Sequence, residues 1–231
     1  VTDAELLEAG KRAAAEGLRL FHLDVIDPDL VPPPPNSLAR MRAHTRAVDS
    51  RIVIDDIFAA AGWGADTPYP GNRRGREWCG FFAAKCWREA GIDPKWLAPF
   101  FASTLRLASW CSYRAWGNYK NPAPHAGVQR RLVAKCGRDT KPENMPFDVR
   151  EGDIVIVGDG SPAEGEHITI ALGGVTSKRT IMTVSGNGGG NGPDGKNREG
   201  IVLREYSIGG TGRIVLWVYR PAPGDLEPVV G

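Results

Sequence analysis

Apolar positions along the chain change their spacing once, near residue 150, and that change divides the sequence into a helical part and a sheet part. In the first part Thr2-Asp3-Ala4-Glu5 has the reciprocal form of a capping box, and Leu and Ala follow at helical spacing to about Leu20. An N-terminal helix is expected there. Pro32, Pro33, Pro34 and Pro35 then form a stiff polyproline spacer. Residues 1–35 therefore read as a helical appendage, docked on or held off from a main domain at 36–221. Asn36 and Ser37 suit the cap of a second helix, and Arg51 to Ala61 reads as a further one, stopped by Gly62-Trp63-Gly64. A fourth starts at Cys79 and stops near Gly91. Ala83, Cys86, Trp87 and Ala90 share its Cys79 face, with Phe82 at the edge and Lys85 and Arg88 opposite, so Cys79 is expected to face the core.

Beyond residue 150 the period becomes two. Asp153 to Val157 is a β-branched run, His167 to Leu172 and Thr180 to Ser185 alternate, and Ile201 to Glu205 and Arg213 to Tyr219 complete five strands with glycine-rich turns. Helices first and strands after predict an α+β fold, a helical layer packed on an antiparallel sheet of about five strands. Residues 94–150 mix aromatics with loop signals and read as short helices and an irregular insertion. The segment 222–231 reads as an extended tail.

Composition adds bounds. With 231 residues, 42% hydrophobic and 24% charged, the chain is long enough for a real core. A net charge of +2 argues against a dedicated nucleic-acid binder. No apolar run is long enough for a membrane span, and Val1 to Glu5 lacks the basic-then-apolar layout of a signal peptide. The four cysteines include no C-x-x-C pair. Cys79 and Cys86 on one helix stand about 10 Å apart along its axis, out of disulfide reach, whereas Cys111 and Cys136 remain a possible bridge.

The chemistry centres on Cys79. The first turn of a helix carries unpaired N–H groups and roughly half a positive charge, which favours thiolate over thiol and suits a developing oxyanion. The backbone N–H of Cys79 itself is the candidate oxyanion donor. Arg73, Arg74 and Arg76 would lower the thiol pKa from about 8.5 toward 7.5, with Glu77 partly opposing; the alternative is that these arginines form a solvated loop or meet an anionic polymer. A thiol nucleophile needs a base and the base an orienting acceptor. Of four histidines, His22 and His44 read as surface residues and His125 as a loop residue, while His167 starts an alternating strand with small neighbours Thr169 and Ala171. Ser185-Gly186-Asn187-Gly188, where a strand runs into glycines, supplies Asn187 as the orienting residue. Taken singly, a core cysteine, a strand histidine and an Asn-Gly step each have ordinary structural explanations.

Trp78-Cys79-x-x-Phe82 with Cys86 and Ala90-Gly91, then Glu151-Gly152-Asp153-Ile154-Val155, Glu166-His167-Ile168 and Ser185-Gly186-Asn187, resembles the CHAP/NlpC-type papain-like hydrolases that cut bacterial peptidoglycan. The resemblance spans about Arg51 to Pro221. It implies a papain-like fold and a cysteine peptidase or amidase without cofactor or metal. Cys79 would attack an amide carbonyl, His167 would serve as base and Asn187 would orient it. Two departures are visible. Many CHAP members have Glu where Ser185 stands, which leaves the third position open between Asn187 and Ser185. Many also have Gln where Trp78 stands, which leaves backbone N–H groups as the oxyanion donors. Tyr69 resembles an upstream active-site Tyr of NlpC-type members.

The expected substrate is peptidoglycan, cut as an N-acetylmuramoyl-L-alanine amidase or a stem or cross-bridge endopeptidase through a thioacyl intermediate. Such an enzyme acts in the periplasm or extracellular wall, phage-encoded as an endolysin or exported by another route. Two alternatives stand beside it: a non-catalytic wall-binding or assembly module whose N-terminal helix docks a protein partner, and a thioacyl transferase. Asn191, Asp194, Asn197 and Glu199 cluster oxygen ligands, but their spacing departs from a calcium loop and reads as a polar hairpin. The glycine-rich window Gly186 to Asp194 reads as a mobile or closely packed loop beside the site.

Overall fold

The structure, a computed structural model, describes residues 1–26, 50–59, 78–91, 132–141, 148–159 and 167–223. Thr2 caps helix α1 (Asp3–His22): its hydroxyl accepts from the Glu5 backbone at 3.2 Å while the Glu5 carboxylate accepts from the Thr2 backbone at 2.6 Å. Leu6, Ala9, Gly10, Ala13, Ala14, Gly17, Leu20 and Phe21 form its buried stripe. Small residues in that stripe let the helix come close to its neighbours. A methyl at Gly10 would lie 2.5 Å from the Glu151 carbonyl oxygen, and one at Gly152, whose φ is +84°, would overlap the Gly10 backbone. The helical appendage is thus docked, packed on α3 (Cys79–Glu89) and on the sheet. Residues 50–59 form helix α2. Arg12 donates to the Ala90 carbonyl at 3.0 Å, placing a cation at the C-terminal end of α3, where the helix dipole favours it.

Six strands follow: β1 (Leu132–Lys135), β2 (Ile154–Gly158), β3 (His167–Ala171), β4 (Thr180–Asn191), β5 (Asn197–Ser207) and β6 (Ile214–Tyr219), in the order β1-β6-β2-β3-β4-β5. The pairs are antiparallel except where β5 meets β6 in parallel at Ser207 and Ile214, and this contact closes the sheet into a small barrel. Strand alternation then builds two cores. Ile154, Ile156, Ile168, Ile170 and Val184 pack with α1 and α3, while Val155, Val157, Ala171, Ile181, Tyr206 and Val215 form a second cluster on the opposite face, which closure turns inward.

The architecture is α+β as expected, with several differences. Among the described residues the sheet has six strands, in keeping with the five or so expected, but it is closed and in part parallel. β1 falls within the stretch read as an irregular insertion. β4 continues six residues past Ser185, with β5 pairing Gly188, Gly189 and Gly190, so the expected loop is largely a strand with a bulge between Ser185 and Gly188. Its end is the expected polar hairpin, with Gly192 donating to Lys196. Lys85, read as solvent-facing, is 7% exposed, because α2 brings Asp56 to within 2.9 Å of its ammonium and Glu89 lies 2.7 Å away. Cys136 is a buried free thiol, and Cys111, its expected partner, lies outside the described residues. The polyproline spacer, Asn36 and Ser37, Gly62, Tyr69, Arg73, Arg74, Arg76, His44, His125 and the tail beyond residue 223 lie outside the described residues.

Candidate active site

Cys79 is the first residue of α3 and 3% exposed. The helix starts there because the Trp78 carbonyl accepts the Phe82 N–H at 3.0 Å, while Trp78 itself lies outside helical geometry at φ −106° and ψ 13°. No side chain caps this first turn and no acid lies in it, so nothing within the turn offsets the positive end of the helix dipole. The start of the helix is held against β4 by a glycine. A methyl at Gly186 would overlap the Trp78 ring and lie 2.8 Å from the Phe82 Cβ. Cys86, further along the same face of α3, is fully buried, and burial pushes its thiol well above the usual range, which removes it as a nucleophile.

His167 is the first residue of β3, 5% exposed, and pairs with Val157 of β2. Its Nε2 is buried and has no hydrogen-bond partner, and neither has the Ser185 hydroxyl. Both atoms face Gly188: a methyl there would sit 3.1 Å from Nε2 and 2.8 Å from the Ser185 oxygen. Ser185 therefore stands beside the imidazole without bonding to it. Asn187 is half-buried at φ 54°, a left-handed conformation that asparagine tolerates better than most residues, and it makes the bulge that carries β4 from one glycine to the next. Burial, and then the charges of Arg213 and Arg204, lower the His167 pKa from 6.5 to about 4.

Cys79 belongs to the helix-side core, whereas alternation sets His167 with Thr169 and Ala171 on the inner face. The structure brings both residues to the same end of β3 and β4, through Trp78 on Gly186 and His167 on Gly188. His22, by contrast, is exposed at the end of α1.

Three residues at this end escaped the sequence reading. Tyr206 is buried on the inner face, near the charges of Arg204 and Arg213. The Arg204 guanidinium lies 5.2 Å from the centre of the Tyr206 ring and donates to the Gly189 carbonyl at 3.0 Å. Burial raises the Tyr206 pKa, and the charges of Arg204 and Arg213 work against that rise. The signal was a charge at Arg204, between Val202 and Tyr206, on a face that otherwise alternates as a buried one.

A cleft of about 550 Å³ lies at the other end of the barrel, between α1 and the start of β2, and is lined by Leu6, Trp87, Asp153 and Arg220 among others. Asp153, 1% exposed, takes two hydrogen bonds from Arg220 at 2.7 and 2.8 Å, and Trp87 donates to the Gly152 carbonyl at 3.0 Å. These groups tie β2, β6 and α3 together, and the candidate nucleophile is not among the cleft's lining residues. Among the described residues no three His, Cys, Asp or Glu side chains gather as a metal site, and no helix is long and apolar enough to cross a membrane. The chain matches no family model, no curated protein and no solved structure.

Proposed function

We propose that the chain is a papain-like cysteine hydrolase that cuts an amide bond in peptidoglycan stem peptides. The observation that carries this reading is the meeting of two elements: Cys79 at an uncapped helix start, and His167 at the head of a strand on which that helix packs, its Nε2 buried without a partner against Ser185 and Gly188. With Nε2 turned to β4, Nδ1 is the nitrogen left for the thiol proton. The peptidoglycan substrate rests on the resemblance of the Trp78-Cys79, Glu166-His167 and Ser185-Gly186-Asn187 segments to CHAP/NlpC-type enzymes.

The chemistry then runs in two halves. Cys79 sulfur attacks the carbonyl carbon as its proton passes to His167, and the carbonyl electron pair moves to oxygen beside the N–H groups of the first turn of α3. Collapse breaks the C–N bond, and the amine leaves with the proton from His167. Water, deprotonated by His167, attacks the thioacyl carbon, and the sulfur departs. Ser185 or Asn187 holds the ring through Nε2 once it carries a positive charge.

A second reading, the non-catalytic wall-binding module, draws support from the near-complete burial of Cys79 and the low basicity of His167. Incubating purified sacculi with the chain and with Cys79→Ala separates the two. New amine or carboxyl termini made only by the unsubstituted chain support the hydrolase; equal products from both proteins, or none from either, overturn it. Mass analysis of the products identifies the bond.

A further inference from the structure

β3 pairs with β4 at Thr183 and Val184, and past that point β4 pairs with β5 alone among the described residues. The hairpin beyond Ser185 then folds back on its own strand. Asn191 pairs with Leu203 as well as with Asn197, and a methyl at Gly190 would lie 2.8 Å from the Leu203 carbonyl oxygen. Gly186 to Gly200 carries seven glycines and, Pro193 apart, no apolar side chain, and none of these residues enters either core. Polar contacts hold the segment down. Arg204 donates to the Gly189 carbonyl at 3.0 Å, and the Ile201 N–H, next to Gly200, donates to the Val25 carbonyl at 3.1 Å. Ile26 forms a β-bridge with Gly200 and donates its N–H to the Ser50 hydroxyl at 3.1 Å, which ties this clasp to α2.

A segment fixed by a few polar contacts and no buried apolar side chain opens at far lower cost than the barrel it lies on. Its root sits on the candidate base. Gly188 packs on the His167 Nε2, and the bulge at Asn187, with φ 54°, separates Gly188 from the part of β4 that belongs to the barrel. Resting on the hydrolase reading, we propose that residues 188–200 form a flap over His167 that pivots at Asn187 and Gly200, is latched by Arg204 and Val25, and lifts to admit substrate to the imidazole. Closed, the flap keeps water from a base that is 5% exposed; open, it frees the Nε2 side of the ring. The clasp comes from the residues that follow α1, so docking of the helical appendage sets how readily the flap opens.

The test reads opening without turnover, on the whole chain at pH 7.5. Hydrogen exchange followed by mass spectrometry should show the amides of 188–201 exchanging about 100-fold faster than those of β2 and β3. Arg204→Met removes the latch. It should speed both hairpin exchange and carbethoxylation of His167 by diethyl pyrocarbonate about tenfold, with exchange of β2 and labelling of the exposed His22 unchanged. At this pH the imidazole is neutral with or without the Arg204 charge, so labelling reports access. Gly200→Ala, whose methyl would lie 2.3 Å from the Val25 carbonyl oxygen, should act in the same direction with no change of charge. Exchange of 188–201 no faster than that of β2 and β3, or His167 labelling unchanged in either variant, overturns the flap. Cleavage of sacculi is scored separately. Cleavage by a chain whose hairpin opens only on global unfolding sinks the flap alone, and an opening hairpin on a chain that cleaves nothing sinks the hydrolase reading alone.

Discussion

Acid should unfold this protein through His167, and the size of the effect follows from its burial. The imidazole is held at a pKa of about 4 in the fold against 6.5 in the unfolded chain. Above pH 7.5 both states are neutral at this residue and it contributes nothing. As pH falls through 6.5 the unfolded chain takes up a proton that the native state refuses, so stability is lost until the native imidazole titrates near 4. At pH 4.5 the accumulated loss is about 2.5 kcal/mol, or roughly 5–10 °C in Tm for a chain of this size. Asp148 and Glu5, whose pKa values are lowered by Arg150 and by Thr2 respectively, also lose stabilisation in acid, but they do so equally in a variant that lacks the histidine. Urea unfolding of the unsubstituted chain and of His167→Gln at pH 7.5 and 4.5 therefore isolates the effect. The variant should lose about 2.5 kcal/mol less than the unsubstituted chain over that interval. Equal losses in the two proteins, or a His167 C2–H resonance that titrates above pH 6, would refute the burial argument.

Four further outcomes are expected. Gly186→Ala forces the Trp78 ring off β4 and should cost about 1–3 kcal/mol together with a shift in Trp78 fluorescence; an unchanged unfolding midpoint would contradict the contact. Asp153→Asn leaves the partly buried Arg220 guanidinium with only the exposed Asp148 carboxylate, 3.5 Å away, and should destabilise by about 3 kcal/mol in denaturant unfolding, against near-neutrality if the pair were a surface one. Thr2→Ala removes the α1 cap and should lower stability by about 1 kcal/mol, seen as an earlier loss of helical ellipticity on heating. In turnover assays the acid limb of kcat/KM should fall near pH 4, set by His167 in the free protein. A limb above pH 6 would count against His167 as the base.

What was legible in the sequence is what local spacing controls. Thr2 and Glu5 announce α1 because a capping box is complete within four residues, and the alternation of His167 to Ala171 announces β3 because each side chain reports its own face. Glycines report neither. Gly188, Gly189 and Gly190 carry no periodic signal, yet they extend β4 because β5 supplies their pairing partners. Lys85 looks solvent-facing on a helical wheel, which records one helix and nothing of Asp56 brought in by α2. Arg204, Tyr206 and Arg213 were missed for the same reason, since their grouping depends on the register of β4, β5 and β6 and on the closure at Ser207 and Ile214. Cys79 and His167 could be named from sequence because each opens its element, while the relation between them depends on how α3 crosses the sheet.

That crossing gives the two residues separate foundations. Cys79 rides on the packing between α3 and the outer face of the sheet, and His167 on the packing inside the barrel. A volume change at Ala83 or Ile170 would move the sulfur while leaving the imidazole in place, and one at Val157 or Tyr206 would do the reverse. The separation between the candidate nucleophile and the candidate base is thus set from two cores, and substitutions that touch neither residue would change it.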